Sequence, residues 1–241
     1  MSPQTASAQA DLARAPLVDA LERNGFALWP ALVPAQEVKK LAALTQAVAP
    51  GRAGLRCPLG LPWCAAWAAR LAQSLIESRL LAPSSRPVQC TYFDKTLDHN
   101  WLVSPHQDLN LPLRHPVSSG LWRAWSHKEG QYFAQPPQSV LEQCLALRLH
   151  LDPCANRDGA LRIAPGSHKQ GILTAHTSHT FPGQFETCLA QPGDALLMRP
   201  LALHASSKRT TPGQRRVLHF VFGPAELPGG AQWPDWHPSA P

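Results

Sequence analysis

From Leu17 to Asn24 apolar side chains recur at helical spacing, and Gly25 follows where a left-handed closing residue belongs, so a helix ending at Asn24 is predicted. Phe26–Trp29 is a short apolar run stopped by Pro30, and reads as a strand. Pro34 then opens a segment in which Val38, Leu41, Thr45 and Val48 recur every three to four residues, a second helix. Residues 50–62 are rich in Gly and Pro and read as loop; Trp63 to Leu81 returns to helical spacing through Trp67, Leu71 and Leu75. Beyond Pro87 the pattern changes. Short β-branched, leucine-rich and aromatic runs separated by Pro and Gly predict strands at Val88–Phe93, Trp101–Val103, Leu145–Leu151, Leu161–Ile163, Ala195–Met198 and Val217–Phe222. The expected architecture is mainly β with flanking helices: one domain over 1–241, a helical first third packed on a sandwich or barrel from about 87 to 222, and an extended tail over 224–241. Trp233 and Trp236 are placed to pin that tail to the body.

Composition narrows the class. Hydrophobic residues make up 44% and charged residues 16% of the 241, enough apolar material for a core and too little charge for a disordered chain. The net charge of +6 is scattered, without a basic block or aromatic-interleaved stripe, so an anionic small molecule explains it more simply than a nucleic acid. Cys57, Cys64, Cys90, Cys144, Cys154 and Cys188 lack C-x-x-C spacing, and residues 1–15 lack the apolar stretch of a secretory leader. Buried thiols in a cytoplasmic protein are expected, with no membrane span.

Candidate chemistry centres on His106 and Asp108. Side chains two apart on an extended strand share a face, so an imidazole and a carboxylate can meet one cation there. Two histidines and one carboxylate on one side of a ferrous ion leave neighbouring positions for a bidentate keto acid and dioxygen. The H-x-D pair alone is weak in a chain with 11 histidines; a third ligand has to come from elsewhere. His204 stands at the far end of the strand that follows the Pro192-Gly193 turn.

Two later strands add polar candidates. In Arg215–Phe222 one face carries Arg216, Leu218, Phe220 and Phe222 and fits a covered apolar layer; the other carries Arg215, Val217, His219 and Val221. Arg215 is thereby expected to face the interior, where a guanidinium grips a carboxylate through two charge-assisted hydrogen bonds. Leu145–Asp152 alternates four leucines with Ala146, Arg148, His150 and Asp152; that polar face is either solvent or the lining of a ligand-filled interior, and periodicity does not decide between them.

An ordered set of segments resembles the phytanoyl-CoA dioxygenase family of iron(II)/2-oxoglutarate oxygenases. The set comprises Asn24-Gly-Phe-Ala-Leu, Phe93-Asp-Lys-Thr96, Asn100-Trp-Leu-Val, His106-Gln-Asp-Leu109, Asp158-Gly-Ala-Leu-Arg-Ile-Ala-Pro-Gly-Ser-His168, Gly193-Asp-Ala-Leu-Leu-Met, His204-Ala-Ser-Ser and Arg215-Arg-Val-Leu. The resemblance spans most of residues 20–222. It implies a double-stranded β-helix, or jelly roll, with His106, Asp108 and His204 as iron(II) ligands and catalytic centre. It further implies Arg215 and Ser206 as 2-oxoglutarate contacts, and puts Arg148 where the family holds another residue near the co-substrate, often an aromatic one. Related halogenases replace the carboxylate ligand with a small residue; Asp108 is present, so hydroxylation is the implied outcome. His168 is assigned to a structural turn, and Asn100 and Trp101 to a loop that can reach the pocket mouth. A small-molecule substrate, 2-oxoglutarate and dioxygen are the expected partners of a monomer or homodimer. The competing readings are a non-catalytic jelly roll that binds a metal or small molecule, and a basic nucleic-acid-binding module.

Overall fold

The computed structural model describes residues 15–56 and 58–236. The first helix (α1, residues 15–24) ends as its sequence predicts: Gly25 takes φ +85°, and its N–H bonds the carbonyl of Leu21 at 3.0 Å. A side chain at Gly25 would also run into Nδ1 of the His168 imidazole. The turn bearing His168 is thus packed against the end of α1, a structural task. α2 (Ala35–Val48) and α3 (Pro62–Glu77) follow, α3 with proline in its first turn. α3 stops four residues earlier than its periodicity suggests. Arg79 adopts φ +58°, and the Leu80 N–H reaches back to Leu75 O at 2.9 Å, a left-handed C-terminal closure made without glycine.

The sheets are antiparallel throughout. The larger has the order β1 (Phe26–Trp29), β11 (Ala195–Met198), β8 (Leu145–His150), β13 (Arg215–Gly223), β3 (Arg86–Lys95), β2 (Gly54–Arg56). The smaller runs β10 (Glu186–Cys188), β9 (Leu161–Ile163), β12 (His204–Ser206), β4 (Val103–His106). From β8 onward the chain passes from large sheet to small and back, β8 to β9 and β10, β11, β12, then β13. That winding is the double-stranded β-helix, and it brings the inner faces of both sheets around one cavity.

The outer face of the large sheet is covered by helices. Leu145, Leu147, Leu149, Leu218, Phe220 and Phe222 form one cluster with Leu41, Leu71 and Leu75 of α2 and α3. Each such side chain contributes about 1.5–3 kcal/mol when withdrawn from water. The two-residue alternation in β8 and β13 therefore resolves as expected for the leucines. Ala146, Arg148, Arg215 and His219 face the interior cavity.

Two expectations are corrected, and a third sheet appears in a stretch for which no strand was expected. The strand placed at Trp101–Val103 begins at Val103 and runs to His106. The loop over 50–62 contains β2, which pairs Leu55 with Tyr92. The stretch 110–137 carries a third sheet, β5 (Leu111–Leu113), β7 (Gln131–Gln135) and β6 (Arg123–Lys128). Asp152 also leaves the face it shares with Arg148 by count. β8 ends at His150, the chain turns, and the Asp152 carboxylate takes Arg216 in a two-point pair at 2.7 and 2.8 Å.

The tail is held as its tryptophans suggest: Trp233 packs in the apolar cluster with Val88, Cys144 and Val221 while its Nε1 donates within the tail to Pro224 O at 2.7 Å, and Trp236 Nε1 donates to Val88 O at 3.0 Å. Cys64, Cys144, Cys154 and Cys188 are buried thiols, while Cys57, residues 1–14 and residues 237–241 lie outside the described residues. No helix among the described residues is long and apolar enough to cross a membrane.

Candidate metal centre

β4 and β12 are hydrogen-bonded neighbours in the small sheet, and their register sets His106 opposite His204. The two rings lie with centroids 4.2 Å apart and their planes tilted by 53°. Each ring donates through Nδ1 to the carbonyl two residues before it, His106 to Ser104 O and His204 to Ala202 O, both at 3.0 Å. A carbonyl only accepts, so Nδ1 carries the proton and Nε2 presents its lone pair. Both Nε2 atoms face the same point.

Asp108 reaches that point by a different route from the one its spacing suggests. β4 ends at His106, and Asp108 stands in the following loop, where its N–H is bonded to Pro200 O at 3.0 Å. Gln107, whose side chain turns the other way, clamps this loop. Its Nε2 donates to Gly171 O at 2.8 Å and Leu201 O at 2.7 Å, and its Oε1 accepts from Leu173 N at 2.8 Å. The middle residue of H-x-D is thus a buried brace, which the sequence reading left without a role. Asp108 Oδ1 lies 3.7 Å from His106 Nε2 and 3.8 Å from His204 Nε2. The three ligand atoms fall within 4.8 Å of one another, the one such metal-capable group among the described residues.

Electrostatics suit a divalent cation. Burial drives His204 down to about 4, so it stays neutral and available as a ligand. Burial alone would raise Asp108, but the facing imidazoles of His204, His219 and His106 outweigh it and bring the carboxyl down to about 2. One carboxylate and two imidazoles that turn Nε2 to the same point form a donor set matching the open-sided iron(II) triad.

The cavity beside the triad is about 310 Å³ and is lined by residues of both sheets, among them Arg148, Ser206, Arg215 and His219. Arg215 is 3% exposed, and its Nε has no hydrogen-bond partner; its guanidinium contacts the Cys154 thiol. Arg148, 7% exposed, also has an orphaned Nε, lies over the Phe93 ring at 5.5 Å and donates through Nη1 to His219 Nδ1 at 3.1 Å. Burial and the neighbouring Arg215 lower the Arg148 guanidinium to about 10, which leaves it charged at neutral pH. Buried guanidinium donors without partners fit an anionic occupant.

Ser206 is reached by Lys95, whose Nζ donates to Ser207 O at 2.8 Å, lies 3.3 Å from Ser206 Oγ and sits 5.0 Å from the Trp101 ring. Burial, then Arg215 and Arg148, draws Lys95 down to about 7. This lysine sits in a segment the sequence singled out, without a role assigned; its signal was a lone charge at an inward strand position. Trp101 lines the cavity, whereas Asn100 ties its loop to Arg209 through paired 2.8 Å bonds and does not line it. His150 is buried within the field of Arg148 and Arg215, does not line the cavity, and has no hydrogen-bond partner at either ring nitrogen.

The phytanoyl-CoA dioxygenase family model matches residues 21–217. A dioxygenase of Penicillium expansum, cnsJ, is 38% identical over 77 residues, a match spanning 32% of this chain and 23% of that protein. HygX from Streptomyces hygroscopicus, solved with nickel and 2-oxoglutarate, superposes with a TM-score of 0.58 at 20% identity, covering 87% of this chain and 86% of its own. The carbocyclase SnoK from nogalamycin biosynthesis, described as α-ketoglutarate dependent, gives a TM-score of 0.66 at 12% identity, over 93% of this chain and 87% of its own. The structural likenesses establish the jelly roll. With the family model spanning both sheets and all three candidate ligands, the chain belongs to the phytanoyl-CoA dioxygenase family of iron(II)- and 2-oxoglutarate-dependent oxygenases.

Proposed function

We propose that the protein hydroxylates an unactivated C–H bond of a small molecule, consuming 2-oxoglutarate and dioxygen and releasing succinate and carbon dioxide. The observation that carries this reading is the convergence of His106, Asp108 and His204 on one point of a cavity whose other lining includes two buried, under-partnered arginines. When bound, iron(II) supplies the oxidative chemistry; the protein supplies geometry, orientation and exclusion of water.

His106 and His204 hold the metal through Nε2, the tautomer that their carbonyl partners impose, and Asp108 supplies the charge. Arg215 takes the distal carboxylate of 2-oxoglutarate by two parallel hydrogen bonds, with the Ser206 hydroxyl beside it. Arg148 neutralises co-substrate charge from the large sheet. By the resemblance, the family often has an aromatic residue at the Arg148 position; with arginine there, this chain holds its co-substrate in a more cationic pocket. The cavity volume, which 2-oxoglutarate shares, favours a small primary substrate.

Carbocyclisation by a protein of the same fold makes the outcome worth measuring directly. In a screen of small-molecule classes, succinate release should depend on iron(II), 2-oxoglutarate and one class of substrate. The product of that class should gain one oxygen atom. A product that loses two hydrogens without gaining oxygen would replace hydroxylation by ring closure or desaturation. Metal and 2-oxoglutarate binding with no succinate from any class would favour the non-catalytic binding protein.

A further inference from the structure

The two oxygens of Asp108 have different surroundings. Oδ1 is the atom paired with both His106 and His204, at 3.7 and 3.8 Å, while Oδ2 is the one paired with His219, 3.7 Å from its Nε2. His219 is 5% exposed, on the inward face of β13, and its register partner on β8 is Arg148. Arg148 Nη1 lies 3.1 Å from the Nδ1 of that ring. A guanidinium has only donors, so Nδ1 must accept, and the proton of the neutral imidazole is left on Nε2, the atom 3.7 Å from Asp108 Oδ2. Phe93 fixes the arrangement from the next strand: the Arg148 guanidinium lies over its ring, and the His219 ring meets it edge-on at 6.2 Å between centroids.

We propose that Arg148 and His219 form a two-residue relay that holds the Asp108 carboxylate in one orientation, with Oδ1 presented to the metal and Oδ2 engaged by His219. This inference rests on the oxygenase reading and assigns both residues a positioning role. Its chemical consequence concerns the number of positions left free. A carboxylate with an unengaged second oxygen can turn and bind through both, using a position that a bidentate keto acid and dioxygen need. A donor on Oδ2 keeps the ligand single-toothed. Partners of this kind, one shell out from the ligands, typically change metal affinity by about 10- to 100-fold.

Neither residue is identified by spacing to the H-x-D pair. They become neighbours of Asp108 only through the pairing of β8 with β13 and the facing of the two sheets.

The test is metal affinity, measured anaerobically on the full chain with Co(II) and Fe(II) in the absence of 2-oxoglutarate. The proteins compared are the parent, His219→Leu, His219→Gln, Arg148→Met and the Leu/Met double variant. Leucine fills the space and donates nothing; glutamine returns an N–H near the position of Nε2. The relay predicts a loss of about 10- to 100-fold for His219→Leu, with a changed Co(II) visible spectrum, and recovery of most of both by His219→Gln. It also predicts that Arg148→Met weakens binding in the parent background and adds little in the His219→Leu background. Parent-like affinity and spectrum in His219→Leu would overturn it, as would full additivity of the two substitutions. Metal-free unfolding midpoints accompany each titration. Should His219→Leu fail to fold, Arg148→Met alone decides: unchanged metal affinity overturns the relay, and weakened affinity with a parent-like midpoint supports it. A parent that binds neither ion overturns the oxygenase reading together with the relay, whereas a parent that binds while His219→Leu is indifferent overturns the relay alone.

Discussion

At the scale of the residue, orientation is set by backbone groups and single donors. The carbonyls of Ser104 and Ala202 choose the histidine tautomers, and Gln107 fixes the loop from which Asp108 projects. Arg215 is the most demanding of these side chains, because a guanidinium with an orphaned buried Nε gains most when a carboxylate arrives. Replacing it with methionine, which keeps the apolar bulk and removes the charge, should cost about 2–4 kcal/mol of co-substrate binding. That corresponds to a roughly 30- to 1000-fold higher 2-oxoglutarate requirement. Iron affinity should stay near that of the parent. Titrating 2-oxoglutarate against succinate formation checks this, and an unchanged requirement would move the anchor to Arg148 or Lys95.

At the scale of the element, legibility follows periodicity. β8 and β13 are long enough for two-residue alternation to separate a helix-covered face from a cavity face, and the apolar cluster beneath the helices contains the leucines and phenylalanines assigned to it. The position of Arg215 was therefore visible in the sequence. Asp152 was not, because alternation holds only while the strand continues, and β8 ends two residues before it. Short, poorly patterned strands were missed for a related reason: β2 and β5 have three residues each, and β6 is largely exposed. Neither shows the apolar alternation that marks Leu161–Ile163: β2 is Gly-Leu-Arg, and β5 carries Pro112 at its centre. The relay of Arg148 and His219 was hidden because it depends on strand pairing across 71 residues of sequence.

The Asp152–Arg216 pair ties the end of β8 to the start of β13 and reaches α2, where Arg216 Nη1 lies 3.4 Å from Ala42 O. Both side chains are mostly buried, at 15% and 17% exposure, so removing one leaves the other charge poorly solvated. Asp152→Ala should lower stability by ~3 kcal/mol, read as a shift in the denaturant midpoint. A loss well under 1 kcal/mol would show the pair to behave as a surface bridge.

At the scale of the whole molecule, the jelly roll concentrates basic groups inside. His150 shows the cost of this. Burial, followed by Arg148 and Arg215, lowers it from 6.5 to about 3. Its folded value lies below its unfolded one, so the unfolded chain takes up a proton that the native state refuses. Stability present above pH 6.5 is lost as the pH falls from there towards 3, by about 1.4 kcal/mol per pH unit for one such group. In the metal-free protein, His150→Phe should flatten the decline in unfolding free energy between pH 6 and 4. An unchanged slope would mean that His150 is protonated in the native state.

The central claim is that one metal, held by His106, Asp108 and His204, shares its open side with 2-oxoglutarate. Anaerobic titration of iron(II) and 2-oxoglutarate into the protein tests it, by the visible metal-to-ligand charge-transfer band of a chelated keto acid. The band should appear with one equivalent of each, and should be absent from Asp108→Ala at the same concentrations while that variant keeps its folded far-ultraviolet signal. No band in the parent, or an undiminished band in Asp108→Ala, would contradict the account.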